Sequence, residues 1–403
     1  MSRRSPPYGL VLAVGSVCFL AGAFLVPRDL FVGTLLAKEH ASPRSVSERA
    51  HPLTGHELGT IALFEQVSPS VVFIMTSHRK PTDALAGGTV FDAAPIEGAP
   101  MDGPLDEFEW DSGSGFVWDD RGHVVTNYHV VRDAVDLTVR LPDLSDWPGR
   151  LVGIDEDKDL AVLHVEAPAS LLNPIVVGRS APLRVGQRAY SIGNPFGLSS
   201  TLSEGIISAV GRTIRSGTGA GRIIQDVIQT DAAITPGNSG GPLLDSAGRL
   251  IGVTTAMVSD AGGSAGIGFA IPVDTVNRIV PDLINHGRPR RAGLGVRVQT
   301  EVDRRIDGVM IAYVLPGSAA ERSGLRGSMN PETLRFGLGD VITGIEGHPV
   351  RTFDDLYGLL DTHRPGDQVD VTYRRKGKLH TTTIDLQVLP PEEMEKEGSG
   401  ETP

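Results

Sequence analysis

The chain has a single cysteine, Cys18, among 403 residues. An intramolecular disulfide is therefore excluded, and the folded body must be held by its core alone. Cys18 follows Gly15-Ser16-Val17, which is not a convincing lipoprotein site, and reads as a small buried or lipid-facing hydrophobe. Basic charge is also short. There are 37 Lys and Arg against 49 Asp and Glu, a net charge of −12. That balance gives no basic stripe, so nucleic acid is not an expected partner. Aromatic residues make up only 5%.

Glycine, by contrast, is abundant at 49 residues. Short β-like runs broken by glycine favour an all-β body over a helical one. The length allows about two to three domains. Residues Tyr8 to Val26 carry no charge, enough to cross a bilayer as one helix. Arg3 and Arg4 precede this run, which keeps residues 1–7 in the cytoplasm and sends the rest to the far side. A cleaved signal peptide is the rival reading. The run is long for one, and Leu35-Leu36-Ala37 puts leucine where cleavage wants a small residue. Residues 27–57, mixed Ser, Pro, Arg and His, read as a linker.

Chemistry concentrates in Gly237-Asn238-Ser239-Gly240-Gly241-Pro242-Leu243. A serine hydroxyl is a poor nucleophile until a base takes its proton and donors stabilise the oxyanion. Alone, this stretch also fits a polar turn. Upstream, an apolar strand from Val124 ends at His129, and Asp159 opens another apolar strand, with Asp155 and Asp157 as rival carboxylates in the same turn. The order His, Asp, Ser is that of chymotrypsin-type proteases. His129 would take the Ser239 proton, Asp159 would fix the imidazole tautomer, and the Gly237 and Ser239 N–H groups would form the oxyanion hole. This chemistry calls for neither a metal nor an organic cofactor.

The blocks Gly113 to Phe116, Thr126 to Val131, Asp159 to Leu163, Gln229 to Ala233, Gly237 to Pro242 and Gly266 to Pro272 resemble the HtrA (Deg) family of serine proteases. The resemblance implies a chymotrypsin-like double β-barrel over residues 58–287, then a PDZ domain over 292–388, behind the N-terminal transmembrane helix at 8–26. It implies an endopeptidase acting on misfolded or regulatory proteins, in a homotrimer anchored in the inner membrane and facing the periplasm. Leu58, Ile61, Ala62 and Phe64 would form an amphipathic turn packed on the body, in a region that helps build the family's trimer. Residue 233, six before the nucleophile, would line the specificity pocket; as alanine it gives an arginine or lysine side chain no partner, and Met257 would add an adaptable wall. The glycine-rich loop around Gly211 to Gly221, with Arg222 after it, would sense PDZ occupancy.

In the second unit, Gly293-Leu294-Gly295-Val296 matches the loop that captures a C-terminal carboxylate. The insertion Gly327 to Gly337 departs from the family pattern. Val273 to His286 has apolar residues at helical spacing and Gly287 as its stop. Residues 78–111 read as a long loop, and the acidic tail 390–403 as disordered. Two other classes stay open: an anchored PDZ binding protein with an inactive protease domain, and a holding chaperone.

Overall fold

The computed structural model describes residues 52–79, 108–195, 197, 199–215, 223–235, 237–255, 266–299, 307–330, 335–336 and 339–389. The chain divides into two compact units, Met1–Thr54 and Gly55–Pro403. Only residues 52–54 of the first are described, so the fold is that of the second. The expected transmembrane helix 8–26, most of the linker, Arg222, Met257 and the tail 390–403 lie outside the described residues. Among the described residues, no helix is long and apolar enough to cross a membrane.

Twelve strands close into two barrels. The first contains β1 (Val71–Arg79), β2 (Phe108–Val117), β3 (His123–Thr126), β4 (Asp136–Arg140), β5 (Asp146–Asp155) and β6 (Leu160–Val165). The second contains β7 (Arg188–Gly193), β8 (Thr201–Arg215), β9 (Ile223–Thr230), β10 (Pro242–Leu244), β11 (Leu250–Thr255) and β12 (Gly268–Pro272). The strand orders are 1-2-3-6-5-4 and 10-11-12-9-8-7. Add six to each number of the first and read it backwards: the second results. One antiparallel module is used twice, and closure removes its sheet edges.

Each barrel has its own interior, around Ile74, Val124 and Leu163 in the first and Ile207, Leu243 and Ile251 in the second. A third cluster joins them. It unites Phe116 and Leu160 from one barrel with Ile192 and Val253 from the other, and with Val276, Ile279, Val280 and Leu283 of one helix. Burying these faces together fixes the barrels relative to each other, since each fully buried aliphatic side chain contributes about 1.5–3 kcal/mol.

That helix is α3 (Val273–His286), as the spacing predicted. Gly287 ends it at φ 74°, and its N–H donates to Leu283 C=O. The N-terminal helix α1 (Gly55–Val67) begins ahead of the expected domain start at 58 and buries Leu63 and Val67. This corrects part of the sequence expectation: Phe64 packs against the shared core, but Ala62 is exposed and so are Leu58 and Ile61, at 54% and 42%. The packed face lies on the other side of the helix, because Leu63 and Val67 are the i, i+4 pair that meets the barrels.

His129 is also placed differently from the sequence reading. The strand stops at Thr126, and His129 sits in the one-turn helix α2 (Tyr128–Val131). The expected loop 78–111 has strand at both ends, with His78 opposite Glu109 and Arg79 opposite Phe108; residues 80–107 are outside the described set.

The PDZ-like unit follows. Strands β13 (Ala292–Gly293), β14 (Val296–Val298), β15 (Val309–Val314), β16 (Met329–Asn330), β17 (Arg335–Phe336), β18 (Val341–Ile345), β19 (His348–Pro349), β20 (Gln368–Arg375), β21 (Lys378–Asp385) and β22 (Gln387–Val388) accompany helices α4 (Ala319–Arg322) and α5 (Phe353–Asp361). The main sheet runs 14-15-18-20-21, and within the unusual insertion β16 pairs antiparallel with β17. Thr352 and Asp355 form a capping box that starts α5, satisfying two N–H groups at the helix end.

Candidate active site

The first barrel carries His129 and Asp159. Asp159 ends the turn after β5 at φ 53°, a conformation that costs a non-glycine residue free energy and needs outside support. The support is visible. Asp159 C=O accepts Asn127 Nδ2 at 2.9 Å and Tyr128 N–H at 3.2 Å. Its carboxylate accepts His129 N–H at 2.9 Å, lies 2.7 Å from His129 Nδ1, and accepts the Thr255 hydroxyl at 2.9 Å. A carboxylate only accepts, so Nδ1 carries the proton and Nε2 is left unprotonated. The Asp159 side chain is 4% exposed and that of His129 24%.

The second barrel supplies the serine. Ser239 is buried between Gly237 at φ 92° and Gly240 at φ 82°. Asn238 N–H donates to Thr235 C=O at 3.0 Å, and the positive φ at position 237 is one that glycine adopts without strain. A Cβ on Gly237 would strike Pro195 at 2.5 Å. Neighbours on β11 tie the two halves together. Thr255 bonds Asp159, while the Thr254 hydroxyl bonds Asn238 C=O at 2.7 Å. Successive strand residues face opposite ways, so one strand edge braces the carboxylate and the serine loop at once.

The rival carboxylates are used elsewhere. Asp155 and Asp157 lie 2.6 and 2.8 Å from Arg291, just before the PDZ-like unit. Asp361 of α5 meets Lys158 at 2.9 Å, Arg278 at 3.2 Å and Arg291 at 3.2 Å. The Tyr357 hydroxyl reaches Asp157, and its ring lies under Lys158 and Arg291. Burial raises the Asp155 carboxyl above its usual value despite Arg291. Burial pulls Asp361 the same way, but Lys158, Arg278 and Arg291 outweigh it and hold it below the usual range. The turn that presents Asp159 is thus clasped by α5.

Helix α5 has a second face. Leu356, Tyr357 and Leu360 line a small pocket with Leu294, Val296 and Leu389. Of the expected carboxylate loop, Gly293 belongs to β13 and leaves no room for a Cβ beside Leu389, while Val296 starts β14. Gly295, at φ 81°, makes the bend. Ala233 is exposed, its C=O accepting the Ser203 hydroxyl, and the Asp231 carboxylate is engaged by Ile206 N–H.

Thr255 carried no signal in sequence, and Asn127 stood in a block that was visible but without its role. Their contacts arise only when the barrels close. The block Gly113-Ser114-Gly115 was visible, but not its role.

Residues 113–253 match the family of trypsin-like peptidase domains and residues 292–386 match PDZ domains. The chain is 44% identical over 339 residues to Protease Do-like 1, chloroplastic, of Arabidopsis thaliana, covering 83% of this chain and 73% of that one. It is 33% identical over 419 residues to a probable periplasmic serine endoprotease, DegP-like, of Brucella melitensis, covering 94% and 77%. Among solved structures, the HtrA-type protease AlgW with a decapeptide is similar at a TM-score of 0.59 and 32% identity, over 82% of this chain and 98% of that one. A trypsin-like double barrel with a PDZ domain behind it, shared along most of the chain with these proteases, makes this a serine endopeptidase that belongs to the HtrA (Do/DegP) family.

Proposed function

We propose that the protein is an extracytoplasmic, membrane-anchored endopeptidase that cuts misfolded or regulatory proteins through an acyl-enzyme. His129 Nε2 takes the Ser239 proton as Oγ attacks the scissile carbonyl. The Gly237 and Ser239 N–H groups stabilise the oxyanion. His129 then gives its proton to the leaving amine, and a water activated by the same imidazole releases the acyl group. Asp159 keeps the imidazole in the right tautomer throughout. The observation that carries this reading is the 2.7 Å contact of His129 Nδ1 with a carboxylate oxygen that Thr255 also holds.

The names of relatives support the compartment: the Brucella homologue is described as periplasmic. Tyr8 to Val26 remains the proposed anchor in the inner membrane. Leu58 and Ile61, exposed on α1, support self-association as a homotrimer. The first specificity subsite, floored by Ala233 and walled by Met257, favours small or medium aliphatic side chains.

Regulation by C-terminal peptides fits the double role of α5. The relative AlgW is described with a decapeptide. In this chain a peptide strand added beside β14, its carboxylate at Gly293 to Val296, would lie against Leu356 and Leu360. The same helix reaches Asp157 through Tyr357 and Lys158 through Asp361, and Asp354 C=O accepts Gln225 Nε2 on β9 at 2.9 Å, at the foot of the loop that leads to Arg222. A ligand shifts the equilibrium only through differential affinity for the two states, and α5 is where that difference would be felt.

The test is labelling and cleavage. Wild type should react with a fluorophosphonate and cut casein; Ser239→Ala should do neither while unfolding at the wild-type temperature. Triad removal in another serine protease costs about 10⁶ in turnover. Retention of more than about a hundredth of the wild-type rate by Ser239→Ala would reject the assignment.

A further inference from the structure

We infer that Ser114 is a positioning residue for the reaction. Its buried hydroxyl pins the turn before Ser239 in the shape that lets the Gly237 and Ser239 N–H groups face one point. The inference rests on reading that turn as the oxyanion hole.

Ser114 lies in β2 of the first barrel and is fully buried. Its hydroxyl donates to Gly237 C=O at 2.6 Å and accepts Asn194 N–H at 2.8 Å. Its N–H donates to Ser239 C=O at 2.9 Å, and its C=O accepts the Thr126 hydroxyl at 2.8 Å. One small residue therefore holds two points of the nucleophile loop and one point of the segment after β7. All three belong to the other barrel.

The decisive group is the peptide plane between Gly237 and Asn238. Ser114 Oγ holds its C=O, and Thr235 C=O holds its N–H at 3.0 Å. A plane gripped at both edges cannot rotate without breaking both buried bonds. The planes on either side carry the two proposed oxyanion donors. Glycines at 237 and 240 give this loop little conformational preference of its own. The restraint must come from outside: Thr254 supplies part of it from the serine's own barrel, and Ser114 adds the hold from the barrel that carries His129 and Asp159. Among the links between donors and base, the Ser114 hydroxyl is the one that holds the Gly237 carbonyl itself.

The residues around Ser114 are shaped for this approach. A Cβ on Gly113 would meet Val130 at 2.7 Å and crowd Ser239 C=O at 3.3 Å. A Cβ on Gly240 would collide with Ser114 C=O and the Thr126 hydroxyl. A hydroxyl both donates and accepts, as the position between Gly237 C=O and Asn194 N–H requires. Alanine would strand both groups.

The experiment compares wild type, Ser114→Ala and Ser114→Cys in the full chain. Active sites are counted with a burst-forming ester, and a peptide boronate reports how well a tetrahedral oxygen is held. Ser114→Ala should lower kcat per titrated site about 10- to 100-fold on a short chromogenic peptide, less than a missing oxyanion donor itself. KM should stay within about threefold, and boronate affinity should fall in parallel with kcat/KM. A wild-type kcat per site and wild-type boronate affinity, with only a lower unfolding temperature, would overturn the proposal. If Ser114→Ala does not fold, Ser114→Cys decides, because its thiol is a weaker donor in the same place. About a 3- to 10-fold lower kcat per site supports the inference, and an unchanged one rejects it. A wild type inert to the titrant would instead reject the reading of the site.

Discussion

Asp155 Oδ1 and Arg291 Nη2 lie 2.6 Å apart, both buried, where the first barrel meets the start of the PDZ domain. The pair sits one turn before Asp159, so the joint between domains and the carboxylate of the proposed triad share a backbone. Removing one partner of a buried ion pair costs about 3–5 kcal/mol, because the other charge is left unpaired. Arg291→Ala should therefore loosen the PDZ domain strongly, seen as faster hydrogen exchange in residues 153–160 and in α5. It should also break the effect of a C-terminal peptide on cleavage more than it weakens peptide binding. Unchanged exchange and an intact peptide response would show that the joint is passive.

Asp361 gives that joint a pH dependence with a definite sign. Its folded-state carboxyl is held below the ordinary 3.8 by Lys158, Arg278 and Arg291, against burial. A depressed carboxyl stabilises the folded state at pH above its unfolded value, and that contribution is lost as pH falls through the lower folded value. The stability gap between wild type and Asp361→Asn should be constant from about pH 7 to 5 and shrink below about pH 4. Chemical unfolding across that range checks it. A gap that shrinks near neutrality would point to another group.

The support of Asp159 can be graded. Asp159→Asn should cost on the order of 10⁴ in turnover, since an amide favours the wrong imidazole tautomer. Thr255→Val removes only one hydrogen bond to a carboxylate and should cost about 10-fold, in line with about 1.5 kcal/mol for such a bond. Equal losses would mean that Thr255 does more than hold the carboxylate.

Gly237→Ala tests the turn. A side chain there must adopt φ near 92° and avoid Pro195. The strain of about 1–3 kcal/mol should appear as lost turnover with little loss of global stability, because the loop can relax. Activity within about twofold of wild type would show that the turn does not need its glycine.

The α1 face is testable by mass. Leu58→Glu with Ile61→Glu should leave the fold intact, since both side chains are exposed, yet shift the sedimenting species from the proposed trimer toward monomer. A trimer that persists would place the contact elsewhere.

The linear sequence determined a good deal. The Gly-Asn-Ser-Gly-Gly block, His129 and Asp159 stood out as candidates because nucleophile chemistry demands particular residue types in a glycine-rich turn. Helix α3 and its Gly287 stop were legible because apolar spacing and a left-handed cap are local properties. The PDZ domain was legible from its glycine loop.

Only the tertiary structure decided the rest. Asp155 and Asp157 looked like spare carboxylates beside Asp159. Their partners Arg291 and Tyr357 lie 136 and 200 residues further along the chain, a separation no local pattern encodes. Ser114 stood in a visible block with no partner assigned, and Thr255 looked like an ordinary strand residue. The first reaches Gly237 across 123 positions and the second reaches Asp159 across 96. A hydroxyl commits to a partner only after two closed barrels bring that partner within about 3 Å, and the core shared by Phe116, Ile192 and Val280 is what brings the barrels that close.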